Sequence, residues 1–114
     1  MNQSLLKKKC IPCEGDETMI LRRGQFEPFL KDLPEWSVID DRKIEKIFKF
    51  NTFSDAIKFI NKVAEVAEAN NHHPDMLLFG WNKVKLTLST HAVDALTEND
   101  FIIATQTDAI DIKK

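Results

Sequence analysis

The chain has 114 residues, 43% of them apolar and 30% charged, with 16 basic and 18 acidic side chains for a formal charge of −2. That length suits one domain of ordinary size, and that apolar fraction can bury a core. The near-neutral balance argues against a protein built to hold nucleic acid by phosphate neutralisation, and no apolar run reaches the roughly 18 residues a membrane span needs.

Residues 1–19 read as a polar, irregular N-terminal arm, and 20–114 as a single domain. The opening Met-Asn-Gln-Ser-Leu-Leu-Lys-Lys-Lys has no apolar stretch behind it. It does not read as a secretory signal, and a cytoplasmic location is expected. Lys7 to Lys9 read as a solvated stretch. Cys10 and Cys13 make a single Cys-x-x-Cys. A structural zinc site usually needs four ligands, so the pair is half a site. A redox pair would open a helix after a strand, and Ile11-Pro12 lies in no such pattern. Plain reduced cysteines are expected, with an adventitious metal site or a redox pair as alternatives.

Phe26, Phe29, Leu30 and Leu33 keep helical spacing, which predicts a first helix over about 22–33. Gly24 and Pro28 weaken it, and Pro34 ends it. Trp36–Ile39 and Ile44–Phe50 flank the turn signal Asp40-Asp41 and predict a β-hairpin. Residues 53–70 are the clearest element. Phe53, Ala56, Ile57, Ile60, Val63, Ala64 and Ala67 follow the spacing of an amphipathic helix. Thr52 with Asp55 is a capping-box signature, Asn70-Asn71 suits a left-handed helix end, and Pro74 cannot continue the helix. Phe59 and Val66 fall off that stripe and are expected to meet another helix or a partner subunit. Asp75–Trp81 and Lys83–Ser89 predict a second hairpin turning at Gly80-Trp81-Asn82, with Val84, Leu86 and Leu88 on a buried face. Thr97 with Asp100 caps a last helix over about 98–110. The order α-β-β-α-β-β-α is that of an α+β fold: a four-stranded antiparallel sheet with helices packed on one face.

The chain's three histidines, His72, His73 and His91, all fall in one third of the sequence. Histidine both gives and takes a proton near neutral pH, with an unperturbed pKa of about 6.5. His72 and His73 stand where the long helix stops, and Glu68 lies one turn before His72. The helix's C-terminal end favours a protonated histidine nearby. His91 follows the return strand of the second hairpin, whose pairing runs back toward Pro74. All three histidines are therefore expected to approach one another, as a proton-transfer site. Loop filler with His91 as a helix cap is the plain alternative. A three-histidine zinc site is another, although adjacent ligands chelate one ion only if the backbone bends to aim both rings inward. Ser89-Thr90-His91 sets a hydroxyl beside a histidine without a third member for a nucleophilic triad.

Glu68, three residues, His72-His73-Pro74, six residues, Trp81, nine residues, His91, eight residues and Asp100 form a spaced set. With Asn82-Lys83-Val84, Leu88 to His91, Leu96 to Asp100, Pro34-Glu35-Trp36 and Phe50 to Phe59, it closely resembles the pterin-4a-carbinolamine dehydratases over about residues 20–110. The leader Leu5 to Gly15 is similar to that of many bacterial and plant members. The resemblance implies the same α+β fold and association into homodimers or homotetramers through sheet edges and helices. It implies loss of water from a 4a-hydroxytetrahydropterin to give a quinonoid dihydropterin. That product is recycled to tetrahydrobiopterin in a pathway shared with an aromatic amino acid hydroxylase.

Carried over by position, His73 would be the principal acid/base, with His72 and His91 contacting the 4a-hydroxyl. Glu68 would accept hydrogen bonds from pterin N–H groups, and Asp75 and Trp81 would shape the mouth. No metal or cofactor, no nucleic acid and no membrane is implied. Some animal members also act as dimerisation cofactors of a homeodomain transcription factor, so a protein-binding module on the same scaffold is the alternative function. Two residues depart from the family. Met76 replaces a common tryptophan. Ala95 replaces a common glycine, which would be strained if that position has positive φ.

Overall fold

The structure, a computed structural model, describes residues 3–8, 10 and 16–112. Cys13 lies outside the described residues, so the Cys-x-x-Cys pair is visible only at Cys10.

Among the described residues, four helices and four strands occur in the order α1 (Gln3–Lys7), α2 (Arg23–Leu30), β1 (Ser37–Ile39), β2 (Lys43–Lys49), α3 (Phe53–Asn70), β3 (Asp75–Phe79), β4 (Lys83–Leu88) and α4 (Glu98–Asp108), with a 3₁₀ turn at Glu17–Met19. The strands form one antiparallel sheet in the order β1-β2-β4-β3, so β1 and β3 are its edges. This is the α+β architecture expected from the sequence.

The hairpin turns follow the chemistry of their residues. Asp40 and Asp41 both take left-handed φ (52° and 56°), and the amide of Arg42 closes the turn onto the carbonyl of Ile39 at 3.0 Å. Aspartate tolerates this region better than most side chains. Gly80 and Trp81 do the same in the second hairpin (55° and 59°).

β4 is central, and its alternation is visible in the burial. Val84, Leu86 and Leu88 are fully buried under the helices. α4 has no polar side over its middle: residues 99–105 are all buried, as a helix sandwiched between other elements must be. Phe101 stacks on Phe26 (centroids 6.2 Å apart) and Phe29 (5.1 Å) of α2. At the far end of α4, Lys46 of β2 reaches Asp108 at 2.8 Å, and the indole of Trp36 donates to the same carboxylate at 3.1 Å. That places an ammonium at the negative end of a helix.

Four expectations change. Phe59 is buried in the core, tilted against Phe48 (4.5 Å) and Phe50 (5.0 Å), so it is no spare contact line. The buried stripe of α3 is Ala56, Phe59, Val63, Ala67 and Asn70, and Phe53 stands out in solvent. Hydrophobic spacing located this helix correctly but rotated its face, because several adjacent apolar residues satisfy the same period. The N-terminal stretch, expected to be irregular, forms α1 and inserts Leu5 into the core. Gln106 of α4 holds it by donating to the carbonyl of Lys8 at 2.7 Å.

α2 is shorter than expected. Pro28 removes the amide that would bond the carbonyl of Gly24, and Gly24 lies in open space. Beyond Leu30 the chain tightens, with the amide of Leu33 on the carbonyl of Leu30 at 3.0 Å. No helix among the described residues is long and apolar enough to cross a membrane.

Candidate functional site

The site grows from the C-terminal end of α3. Asn71 takes the left-handed conformation (φ 52°, ψ 42°), and the amide of His72 still reaches the carbonyl of Ala67 at 3.2 Å. The chain then leaves the helix axis sharply and presents His72 and His73 before β3 begins. Asn70, buried beneath this turn, donates to the carbonyl of Val66 and to Gln106 of α4, both at 2.9 Å. It also accepts the amide of Cys10 at 3.1 Å. One asparagine thus ties the histidine turn to α4 and the N-terminal arm.

The adjacent histidines stand in opposite environments. His72 is nearly buried, and its Nε2 lies 2.7 Å from Oδ1 of the fully buried Asp100. A carboxylate acceptor makes that Nε2 the donor, so Nδ1 is the ring nitrogen left for other chemistry. His73 is about half exposed, and its Nε2 is 3.4 Å from Oε2 of Glu68, which is more exposed still. An exposed pair at that separation is loosely held.

Asp100 is the centre of the arrangement. Its Oδ2 accepts the amide of Thr97 at 3.0 Å, closing the expected capping box of α4, and also the hydroxyl of Thr90 at 2.8 Å. With Thr90 donating to Asp100, the 2.8 Å contact between the two threonine hydroxyls runs from Thr97 to Thr90. Asp100 was legible from sequence as a helix cap. Its grip on His72 was not, because nothing local connects residues 72 and 100.

His91 follows Thr90 directly. Pairing of Asp75 with Thr87, continued past the end of β3, sets His72 opposite Thr90, and the shared carboxylate agrees with this. His91 opens an exposed turn closed by the bridge between Thr90 and Ala95. The left-handed residue of that turn is Asp94 (φ 48°), not Ala95, so the alanine in place of the family's glycine carries no such strain.

Asp75 is exposed at the first position of β3, two residues from His73. Trp81 is not part of this cluster. It sits 60% exposed in the turn beyond the other end of β3. An extended strand puts it roughly 15–20 Å from Asp75, so the expected role at the mouth is not met within one chain.

The thiol of Cys10 lies behind the first turn of α4, 3.6 Å from the carbonyl of Asn99. Burial, then the negative charges of Asp100 and Glu98, push its pKa up to about 12. A redox-active thiol is shifted the other way. Among the described residues no three His, Cys, Asp or Glu side chains assemble as a metal site.

Comparison with known proteins bears on the family and the fold. The family pattern described as Pterin 4 alpha carbinolamine dehydratase matches residues 20–110. A protein of Halorhodospira halophila, provisionally named as this dehydratase, is 46% identical over 108 residues, covering 94% of this chain and 97% of its own length. Pterin-4-alpha-carbinolamine dehydratase 2, mitochondrial, of Arabidopsis thaliana is 33% identical over 112 residues, covering 96% of this chain and 60% of that protein. The crystal structure of a transcriptional coactivator/pterin dehydratase from Brucella melitensis superimposes with a TM-score of 0.73 at 34% identity, covering 79% of this chain and 96% of that one. With a family match over almost the whole domain and relatives at this identity, the chain belongs to the pterin-4a-carbinolamine dehydratase family.

Proposed function

We infer that the protein is a hydro-lyase that removes water from a 4a-hydroxytetrahydropterin, giving a quinonoid dihydropterin by histidine acid/base catalysis. The observation that carries the mechanism is the contrast between the adjacent histidines. His73 is exposed and weakly held by Glu68, whereas His72 is fixed to a buried carboxylate.

The reaction needs a proton delivered to the departing hydroxyl and another taken from the pterin ring. An imidazole near neutral pH does either, without a metal or a covalent intermediate. His73 is the residue free to rotate and exchange with solvent, and we assign it the principal acid/base role. His72 offers Nδ1 in a fixed orientation. His91, beside the Thr90 anchor, is assigned a contact with the 4a-hydroxyl. Glu68 accepts hydrogen bonds from pterin N–H groups, a charge-assisted contact that orients the ring. Asp75 borders the opening. The physiological setting that fits this product is tetrahydrobiopterin recycling beside a pterin-dependent hydroxylase.

His73→Ala tests the assignment, because so exposed a side chain is removable without disturbing the core. The variant is expected to fold normally and to lose about 100-fold or more of its dehydration rate. Activity near that of the unmodified chain would remove His73 from the acid/base role.

A further inference from the structure

The N-terminal arm touches both sides of the bond that fixes His72. Cys10 donates its amide to Oδ1 of Asn70 at 3.1 Å, two residues before His72. Its thiol meets the carbonyl of Asn99 at 3.6 Å, one residue before Asp100. The arm is moored to α4 by further contacts. Nε2 of Gln106 donates to the carbonyls of Lys8 at 2.7 Å and Leu5 at 3.4 Å, and the ammonium of Lys8 pairs with Glu98. The side chain of Leu5 is buried in the core.

These bonds form a relay from the arm to the histidine turn. Gln106 accepts from Asn70 through its carboxamide oxygen at 2.9 Å and holds the arm through its carboxamide nitrogen. Asn70 is buried. A buried polar group that loses its partner is costly, so arm, Gln106 and Asn70 keep one arrangement together. The turn they brace leads into β3, an edge strand with a sheet neighbour on one side only. His72 is therefore aimed twice, by Asp100 through its ring and by Asn70 through the backbone that follows it.

We propose that the N-terminal arm is a positioning element of the site: by bracing Asn70 and Asn99 it holds the His72 ring in the one orientation that leaves Nδ1 for the substrate, with Gln106 as the positioning residue that transmits this. Neither Leu5 nor Gln106 belongs to the assigned acid/base or pterin-binding residues. The arm's effect on rate rests on the dehydratase reading, whereas its effect on the ring rests on the contacts alone. A reacting group displaced by about 1 Å can lose about 100-fold in rate, so a brace at this distance has a catalytic consequence.

Two full-length variants release the arm in different ways. Gln106→Glu keeps an acceptor for Asn70 and removes the donor to Lys8 and Leu5. Leu5→Ala weakens the arm's apolar anchor and leaves Asn70 and Gln106 unchanged. Circular dichroism confirms the fold of each, and Gln106→Glu, at a partly exposed position, decides alone if Leu5→Ala does not fold. In a Cys13→Ser background, alkylation of Cys10 reports release of the arm and is expected to quicken about tenfold or more. Nitrogen NMR of the imidazole rings reports the tautomer. Neutral His72 is expected to carry its proton on Nε2 alone in the unmodified chain, and to become a mixture of both tautomers in the variants. Dehydration at saturating pterin is expected to fall about tenfold in both, with the pterin dissociation constant nearly unchanged. A pure Nε2–H tautomer in a variant whose Cys10 has become reactive overturns the proposal and makes the arm a structural cover. Cys10 reactivity unchanged in both variants overturns the assigned mooring. If the unmodified chain shows no dehydration while the variants still lose the tautomer, the positioning role stands and the enzymatic reading fails.

Discussion

His72 ends on Asp100, Nε2 to Oδ1 at 2.7 Å, and the other oxygen of that buried carboxylate holds Thr90 and the amide of Thr97. One side chain thereby joins the end of α3, the end of β4 and the start of α4. Asp100→Ala would leave the Thr97 amide and the Thr90 hydroxyl buried without their acceptor, at a cost of about 3 kcal/mol. For a domain this size that corresponds to a fall in Tm of roughly 10–20 °C. Thermal unfolding checks it, and an unchanged Tm would mean that the network does not hold these elements together.

Phe59 lies on the buried side of α3. Buried against Phe48 and Phe50, it is a core residue. Phe59→Ala is expected to cost about 3–5 kcal/mol in urea unfolding of the chain. A loss below about 1 kcal/mol would place the ring at a surface instead.

Cys10 carries a pH prediction. Its thiol is pushed up to about 12 in the fold, chiefly by burial, from an ordinary value of 9.0. A group whose proton is held more tightly in the folded state contributes stability below its unfolded pKa and loses that contribution as pH climbs. Between about pH 9 and pH 12 the unmodified chain should therefore lose stability faster than Cys10→Ala. In a Cys13→Ser background, Cys10 should also alkylate far more slowly than a free thiol at pH 8. Equal stability slopes in the two chains, together with fast alkylation, would show an accessible thiol.

Glu68 is assigned to binding rather than chemistry. Glu68→Ala should raise the pterin dissociation constant by about 10-fold, with a smaller effect on the single-turnover rate. An unchanged dissociation constant would exclude that role.

The fold was legible wherever the information is local. The bounds of α3 follow from Thr52, Asn71 and Pro74, and both hairpin turns from Asp40-Asp41 and Gly80-Trp81. What could not be read depends on contacts between residues distant in sequence. The face of α3 was rotated because Phe53, Ile57 and Ile60 satisfy the same period as Phe59. The docking of Leu5 depends on α4, about a hundred positions away. In the site, Glu68, His72 and His73 were legible because one helix end carries them. Asp100 announced its capping role and its place in the spaced set, but not its bond to His72. Trp81 belonged to the same spaced set of residues but lies a strand length away.

The dehydration of a 4a-hydroxytetrahydropterin is the most direct test, followed by stopped-flow ultraviolet absorbance with and without purified, chelator-treated protein. Faster decay that survives chelation, and that His73→Ala abolishes, is the predicted result. No acceleration by a chain shown to be folded would contradict it, and would leave a binding module built on the scaffold of this enzyme family.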